Sequence, residues 1–154
     1  MSERFFGGSW AATTWTNIEQ NEELHLDSRI LIIAGAEYHL IRNQSMELSA
    51  GLGGAFNGET FTGEERASSA EIAVVTTFDA FDIGDLNFRT SATTFIAPAD
   101  GGRFRLNVDG RISWEIFNDF VIGITVTERY DTEPPSADAG RDFHYGVTLG
   151  WSWG

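Results

Sequence analysis

The stretch from residue 103 to residue 117, RFRLNVDGRISWEIF, alternates between apolar and polar side chains at nearly every step. Apolar residues occupy the even positions apart from Gly110, and charged or polar residues occupy the odd positions as far as Glu115. Only an extended strand gives a side-chain period of two, because an α-helix would spread these apolar residues around its whole circumference. The pattern predicts a β-strand with one apolar and one polar face, and leaves open which face meets the interior.

The same alternation recurs along the rest of the chain. It predicts seven further strands, at about residues 4–16, 24–40, 46–57, 69–79, 86–96, 120–131 and 142–154. The first of these has the least regular alternation, because Gly, Ala and Thr interrupt it, and Leu31 and Ile33 interrupt the polar face of the second. The 154 residues are predicted to form a single domain, residues 1–154, of the all-β class.

Short and long connections alternate between the predicted strands. The short ones read IRNQS, DIGD and FND, and the long, mostly acidic ones read NIEQNEE, NGETFTGEERAS, APADGG and DTEPPSADAGR. Outer-membrane barrels have short turns at the periplasmic rim and longer loops at the outer rim. The pattern favours an eight-stranded antiparallel up-and-down transmembrane β-barrel.

Aromatic residues fall on the apolar positions near both predicted rims. Those near the short turns are Tyr38, Phe78, Phe88, Trp114, Phe120, Trp151 and Trp153; those near the long loops are Phe56, Phe104, Tyr130 and Phe143. Between the two groups the apolar positions are mostly aliphatic. Two aromatic girdles around an aliphatic band are typical of a surface that faces lipid. We therefore expect the apolar face to point outward and the polar face to line a narrow, filled lumen.

The amino-acid composition argues against several classes of function. All ten basic residues are Arg and none is Lys, which fits guanidinium groups paired in an enclosed space, although an acidic surface adapted to high salt is an alternative. The net charge of −13 argues against nucleic acid as a partner. Without Cys there is no disulfide, zinc–thiolate site or thiol nucleophile.

Two histidines and two aspartates fall together near the long-loop rim. His25 and Asp27 begin one predicted strand, and Asp142 and His144 begin the last. Such a set could bind a divalent metal or serve as an acid/base pair, whereas the alternative is histidines exposed to water at the rim. No spacing motif supports a site, so no catalytic, cofactor-binding or metal-binding residue is assigned and no cofactor is expected.

Charged residues of both signs share the polar positions. We expect them to form a paired network that fills the lumen rather than an ion path, with Arg111 paired to Asp109 or Glu115. The members are Arg29, Glu37, Glu47, Glu71, Arg89, Arg105, Asp109, Arg111, Glu115 and Arg129. Inward glycines at positions 35, 51, 53, 123, 146 and 150 leave gaps that the Arg side chains are expected to fill. A second acidic set is expected to be solvated at loop tips: Glu22, Glu23, Glu64, Glu65, Asp131, Glu133 and Asp138.

Two segments resemble a known family. RYDTEPPSADAGRDFHYGVTLGWSW, and RILIIAGAEYHLI followed by ELSAGLGGAFNGETF, are similar to the end and the central Gly-rich hairpin of an uncharacterised family of salt-induced outer membrane proteins. The resemblance spans about residues 4–154 and implies an outer-membrane barrel without naming an activity. The family usually has further strands before this region and ends in an aromatic residue, whereas Gly154 ends this sequence, so a shortened member or a fragment is expected.

The sequence therefore predicts a non-enzymatic barrel in a bacterial outer membrane, with a structural or partner-binding role in the envelope. Its expected partners are outer-membrane lipid and envelope proteins. Two alternatives remain open: a soluble, lipocalin-like carrier whose apolar face encloses an apolar ligand, and a narrow ion channel.

Overall fold

The computed structural model describes residues 2–5, 8–21, 26–61, 67–99, 101–117, 120–133 and 140–151. These residues form nine β-strands. The strands are β1 (Ser2–Phe5), β2 (Trp10–Asn21), β3 (Leu26–Arg42), β4 (Met46–Phe61), β5 (Ala67–Ile83), β6 (Leu86–Ala97), β7 (Arg103–Phe117), β8 (Phe120–Asp131) and β9 (Arg141–Trp151).

The strands make one sheet in which chain order and spatial order coincide. Each strand pairs antiparallel with the next, from β1 to β9. Eight antiparallel up-and-down strands, β2 to β9, confirm the predicted all-β class and strand order. The described residues contain no helix with the length and hydropathy of a membrane-spanning segment.

The prediction of a single strand at residues 4–16 is wrong. The chain reverses between Phe5 and Trp10, so β1 pairs antiparallel with the first part of β2, Ala11–Thr14. Gly8 has a φ of 54° in this reversal, a conformation that glycine adopts without steric cost. The irregular alternation of this segment concealed a hairpin.

Several strands extend further than the alternation predicted. β2 reaches Asn21 and β4 reaches Phe61, so much of the predicted loops at residues 17–23 and 57–68 is strand. Polar residues continue the pairing there, as Glu59 opposite Ala67 shows. The backbone gains its ladder hydrogen bonds whatever side chain it carries, which is why the hydrophobic pattern underestimated these strands.

Side chains divide between two faces of the sheet. The apolar face carries the even-numbered residues over most of β2 to β8 and the odd-numbered residues of β9, as cross-strand pairs such as Ile112–Ile124 and Val126–Tyr145 show. Its large side chains are widely exposed, with Leu52 at 62 % and Leu149 at 67 %. The opposite, polar face holds nearly all the buried side chains. The core therefore lies on the side that carries the charges.

A small apolar cluster lies on the polar face. Leu31, Ala55, Ala73 and Phe95 are buried there, and Ile33 packs against them. Leu31 and Ile33 are the two residues that interrupted the polar positions of the second predicted strand. They contribute to packing on the polar face.

Two glycines allow β3 and β4 to approach closely. Gly35 faces Gly53 across the pair, and a Cβ added to Gly53 would lie 2.5 Å from the Ala34 carbonyl oxygen. Thr148 and Thr125 face Gly123 and Gly146, and their hydroxyl oxygens would collide with a Cβ added to either glycine. At these four positions backbone or threonine, rather than arginine, occupies the space that glycine leaves.

Aromatic rings on the apolar face form cross-strand pairs near both ends of the strands. At the short-turn end, ring centroids lie 5.0 Å apart for Trp10–Tyr38 and 5.8 Å apart for Phe120–Trp151. At the long-loop end, Phe104 contacts Tyr130 at 6.4 Å. Trp153 lies outside the described residues. The described members of the two predicted girdles thus share one face, at opposite ends of the strands.

Candidate functional site

The most enclosed charges on the polar face are Glu71 of β5 and Arg105 of β7. Arg105 Nη2 donates to Glu71 Oε2 at 2.5 Å, and the Glu71 and Arg105 side chains are only 1 % and 11 % exposed. Ser69 Oγ donates to the other Glu71 oxygen at 2.9 Å. The Arg105 guanidinium lies 4.8 Å from the centre of the Phe95 ring, a cation–π contact. This pair belongs to the network predicted from the sequence.

A second ion pair joins β7 to β8 near the long-loop end. Arg103 donates to both carboxylate oxygens of Asp131, from Nε at 2.9 Å and from Nη2 at 2.5 Å. The Glu133 backbone N–H also donates to Asp131 Oδ1, at 3.0 Å. Asp131 was expected to be a solvated loop tip, and that is wrong, because the pairing with Arg103 holds its side chain at 19 % exposure.

Nearer the short turns, charged residues follow one register level of the polar face. Glu47 of β4 faces Asp79 of β5, Asp79 faces Arg89 of β6, and Arg89 faces Arg111 of β7. Arg89 Nε donates to Asp79 Oδ1. At the far side of Glu47, its Oε1 lies 2.8 Å from Nδ1 of the buried His39. Along this row of facing residues, β4 and β5 each carry a carboxylate, and β6 and β7 each carry a guanidinium.

Arg111 does not pair as the sequence predicted. Its Nε donates to Ser113 Oγ at a long 3.4 Å, and this is its one polar contact among the described residues. Asp109 Oδ1 instead accepts from Thr127 Oγ1 at 3.0 Å. The expected ion pair of Arg111 with Asp109 or Glu115 is therefore wrong, because the β7–β8 register offers Asp109 a nearer hydroxyl.

A cavity of about 200 Å³ lies at this short-turn end. Its polar lining comes from Asp79, Asn87, Arg89, Arg111 and Ser113. Arg89 is 73 % exposed in spite of its ion pair. Arginines were expected to fill the gaps on the polar face; Arg89 and Arg111 instead line an open space.

The structure brings together one half of the predicted histidine–aspartate group. His144 Nε2 lies 2.8 Å from Asp142 Oδ2 on β9, and the two side chains are 71 % and 52 % exposed. In register, Asp142 faces Arg129 and His144 faces Thr127. Within the described part of the chain, no group of three or more His, Cys, Asp or Glu could hold a metal ion.

Other predicted residues fall beyond what the structure describes. His25, Glu22, Glu23, Glu64, Glu65 and Asp138 lie outside the described residues, and only the backbone is described for Asp27 and Arg29. Glu37 lies on the polar face, facing Ala11 and Gly51. The group of His25, Asp27, Asp142 and His144 therefore stays a hypothesis as a whole.

Among the described residues, sequence reasoning missed several members of the polar-face network, including His39 beside Glu47, Asp79, Phe95, and Arg103 as a partner of Asp131. Asp79 and Phe95 do fall on the polar positions of their strands, but neither has a charged neighbour in sequence that would mark it. The contact between Phe95 and Arg105 depends on the pairing of β6 with β7, which places the two residues directly opposite each other.

Comparisons with known proteins add a family but no activity. No curated protein and no solved structure matches this chain. A family model matches residues 1–153, nearly the whole sequence, and its description is "Protein of unknown function, DUF481". An extended sheet with an exposed apolar face and ion pairs on its polar face is thus the architecture of one member of an uncharacterised family. The chain belongs to the family described as "Protein of unknown function, DUF481".

Proposed function

We propose that this chain forms the wall of a small β-barrel in a bacterial outer membrane, with its apolar face toward lipid and its polar face toward a narrow lumen. The observation that carries the proposal is the distribution of exposure: large apolar side chains are exposed, and charged pairs are buried on the other face. A soluble protein rarely exposes such extensive apolar surface. In a bilayer the same apolar side chains would contact lipid chains instead of water.

The polar face supports this orientation independently. Glu71 and Arg105 are taken out of water together, and such a pair is tolerable only when each charge has its partner. A soluble, lipocalin-like carrier would need the apolar face turned inward around its ligand. Exposures of 63 % for Val147 and 55 % for Trp151 oppose that alternative.

We also propose that the sheet closes on itself to form a barrel. β1 and β9 run in the same direction, because nine strands in up-and-down order give the first and last the same sense. β2 and β9 run in opposite directions, and β1 covers β2 only over Ala11–Thr14. We propose that β9 pairs antiparallel with the edge of β2 in the membrane, which closes eight strands and leaves no unpaired edge in lipid.

Engineered disulfides test closure, and the chain has no native cysteine to interfere. Ile18→Cys would be combined in turn with cysteine at Phe143, Tyr145 and Val147, all on the apolar face. We expect one combination to cross-link efficiently in refolded protein. Ile18→Cys with Trp114→Cys serves as the control that should stay reduced, because Trp114 lies on β7, five strands from β2 along the sheet and three strands from it around the closed barrel. Failure of every β2–β9 combination would reject an eight-stranded barrel.

In biological terms we propose a structural or partner-binding role in the envelope rather than catalysis. The resemblance of two segments to an uncharacterised family of salt-induced outer membrane proteins supports the location. The test is fractionation: the protein should sediment with outer membranes, require detergent for extraction, and migrate differently on gels when unheated. A monomer that stays soluble in buffer without detergent would contradict the proposal.

A narrow channel is a second candidate, favoured by one observation. The cavity lined by Arg89 and Arg111 shows that the polar face is not packed solid at the short-turn end. At the long-loop end, however, the Glu71–Arg105 and Arg103–Asp131 pairs occupy the polar face. We therefore favour a blocked lumen, and a conductance measurement distinguishes the two.

A further inference from the structure

The cavity at the short-turn end carries an excess of positive charge. Arg89, Arg111 and Asp79 line it, so two guanidiniums meet one carboxylate. Asp79 accepts a hydrogen bond from Arg89, and its negative charge balances the positive charge of that residue. In a chain whose net charge is −13, this local excess is unusual.

Arg111 holds the charge that is left over. It lies directly opposite Arg89 in the β6–β7 register, and like charges in that position repel each other. Its one polar contact among the described residues is to the neutral hydroxyl of Ser113, at 3.4 Å. A guanidinium has five N–H donors in a planar fork, so most of the donors of Arg111 have no acceptor among the described residues, and Arg111 lines the cavity.

Neutral donors flank the two arginines. Ser113 and Asn87 both line the cavity and face each other across β6 and β7. The Ser113 hydroxyl accepts from Arg111, which leaves its hydrogen for an acceptor in the cavity. Guanidinium, hydroxyl and amide groups on one wall are the donors that bind phosphate oxygens, and the fork of arginine matches two of them at once.

We infer that this cavity binds a phosphate group, either as a free anion or on a lipid headgroup. An anion between Arg89 and Arg111 would remove their repulsion and give Arg111 the acceptor that the protein does not supply. At about 200 Å³ the cavity exceeds one phosphate ion, so it leaves room for a group attached to the phosphate. Phosphate binding in this cavity requires neither barrel closure nor a membrane location.

Binding can be measured on protein refolded in a maltoside detergent, which contains no phosphate. Three probes would be titrated by calorimetry: inorganic phosphate, dihexanoyl phosphatidic acid, and dihexanoylglycerol, which has the same chains without phosphate. Binding of the first two assigns a free anion, and binding of phosphatidic acid alone assigns a lipid headgroup. Binding of neither, or equal binding of dihexanoylglycerol, would overturn the inference.

Variants locate the site. Arg111→Gln should weaken phosphate binding about tenfold or more, because a hydrogen bond to a charged group is lost. Arg141→Gln is the matched control: Arg141 is also exposed, but it pairs with Glu128 on the apolar face, and phosphate binding should be unchanged. If Arg111→Gln fails to refold, Arg111→Lys, which keeps the charge but loses the fork, should bind more weakly than the wild type. Wild-type affinity in a folded Arg111 variant would refute the site.

Discussion

Removing the Glu71 carboxylate should destabilise this protein clearly more than neutralising an exposed charge of the sheet. Glu71 and Arg105 are almost fully enclosed, so solvent screens their attraction only weakly. Two unit charges about 4 Å apart attract by about 4 kcal/mol at an effective dielectric constant of ~20. Breaking a buried pair by removing one partner typically costs about 3–5 kcal/mol, because the remaining charge stays buried. We expect Glu71→Gln to cost about 3 kcal/mol, since glutamine keeps one oxygen that can accept from Arg105 or Ser69.

The assay is urea unfolding of refolded protein in detergent micelles, followed by tryptophan fluorescence, with free energies taken from the midpoint and slope. Glu128→Gln is the matched control, because Glu128 pairs with Arg141 on the exposed face, where the side chains are 32 % and 69 % exposed. It should cost no more than ~1 kcal/mol. Combining Glu71→Gln with Arg105→Gln should cost clearly less than the sum of the two single changes. Equal small effects for Glu71→Gln and Glu128→Gln would refute the argument that the polar face is enclosed.

Three further outcomes follow from the same structure. Gly53→Ala should destabilise the protein by about 1–3 kcal/mol in the urea assay, because its Cβ would collide with the Ala34 carbonyl, whereas Gly54→Ala, which meets nothing within 4 Å, should change stability by less than ~1 kcal/mol. In a planar bilayer the protein should show no steady conductance at moderate salt, and a stable ion-selective current would establish the channel alternative instead. Assays of lipid acyl transfer and of ester and peptide hydrolysis should detect no activity; a robust activity that His25→Ala or His144→Ala abolishes would overturn the non-enzymatic role.

The alternation of side chains was enough to predict strand order and the two faces, because a period of two constrains every residue of a strand at once. Strand ends were harder to predict. Backbone pairing continues through polar residues, as it does at Glu59, and a hairpin near Gly8 was concealed by residues too small to alternate.

The sequence did not predict which charged residues of the polar face pair with each other. A charged residue on a strand has neighbours on two other strands, and the register decides which of them it meets. Arg111 was expected to meet carboxylates on its own strand but faces Arg89, and Asp131 was expected in solvent but binds Arg103. These contacts depend on shifts of one or two residues between strands, which the hydrophobic pattern leaves undetermined.

Contact of the apolar face with lipid, and the absence of such contact on the polar face, can be measured directly along β7. The cysteine-free chain allows single cysteines to be placed one at a time at residues 105–112 and spin-labelled in refolded vesicles. Collisions of each label with oxygen, which concentrates in the bilayer, are then compared with collisions with a water-soluble nickel complex. Oxygen accessibility should be high at the even positions and low at the odd ones, with a period of two. The reverse phase, or high accessibility to the nickel complex at the even positions, would contradict this prediction.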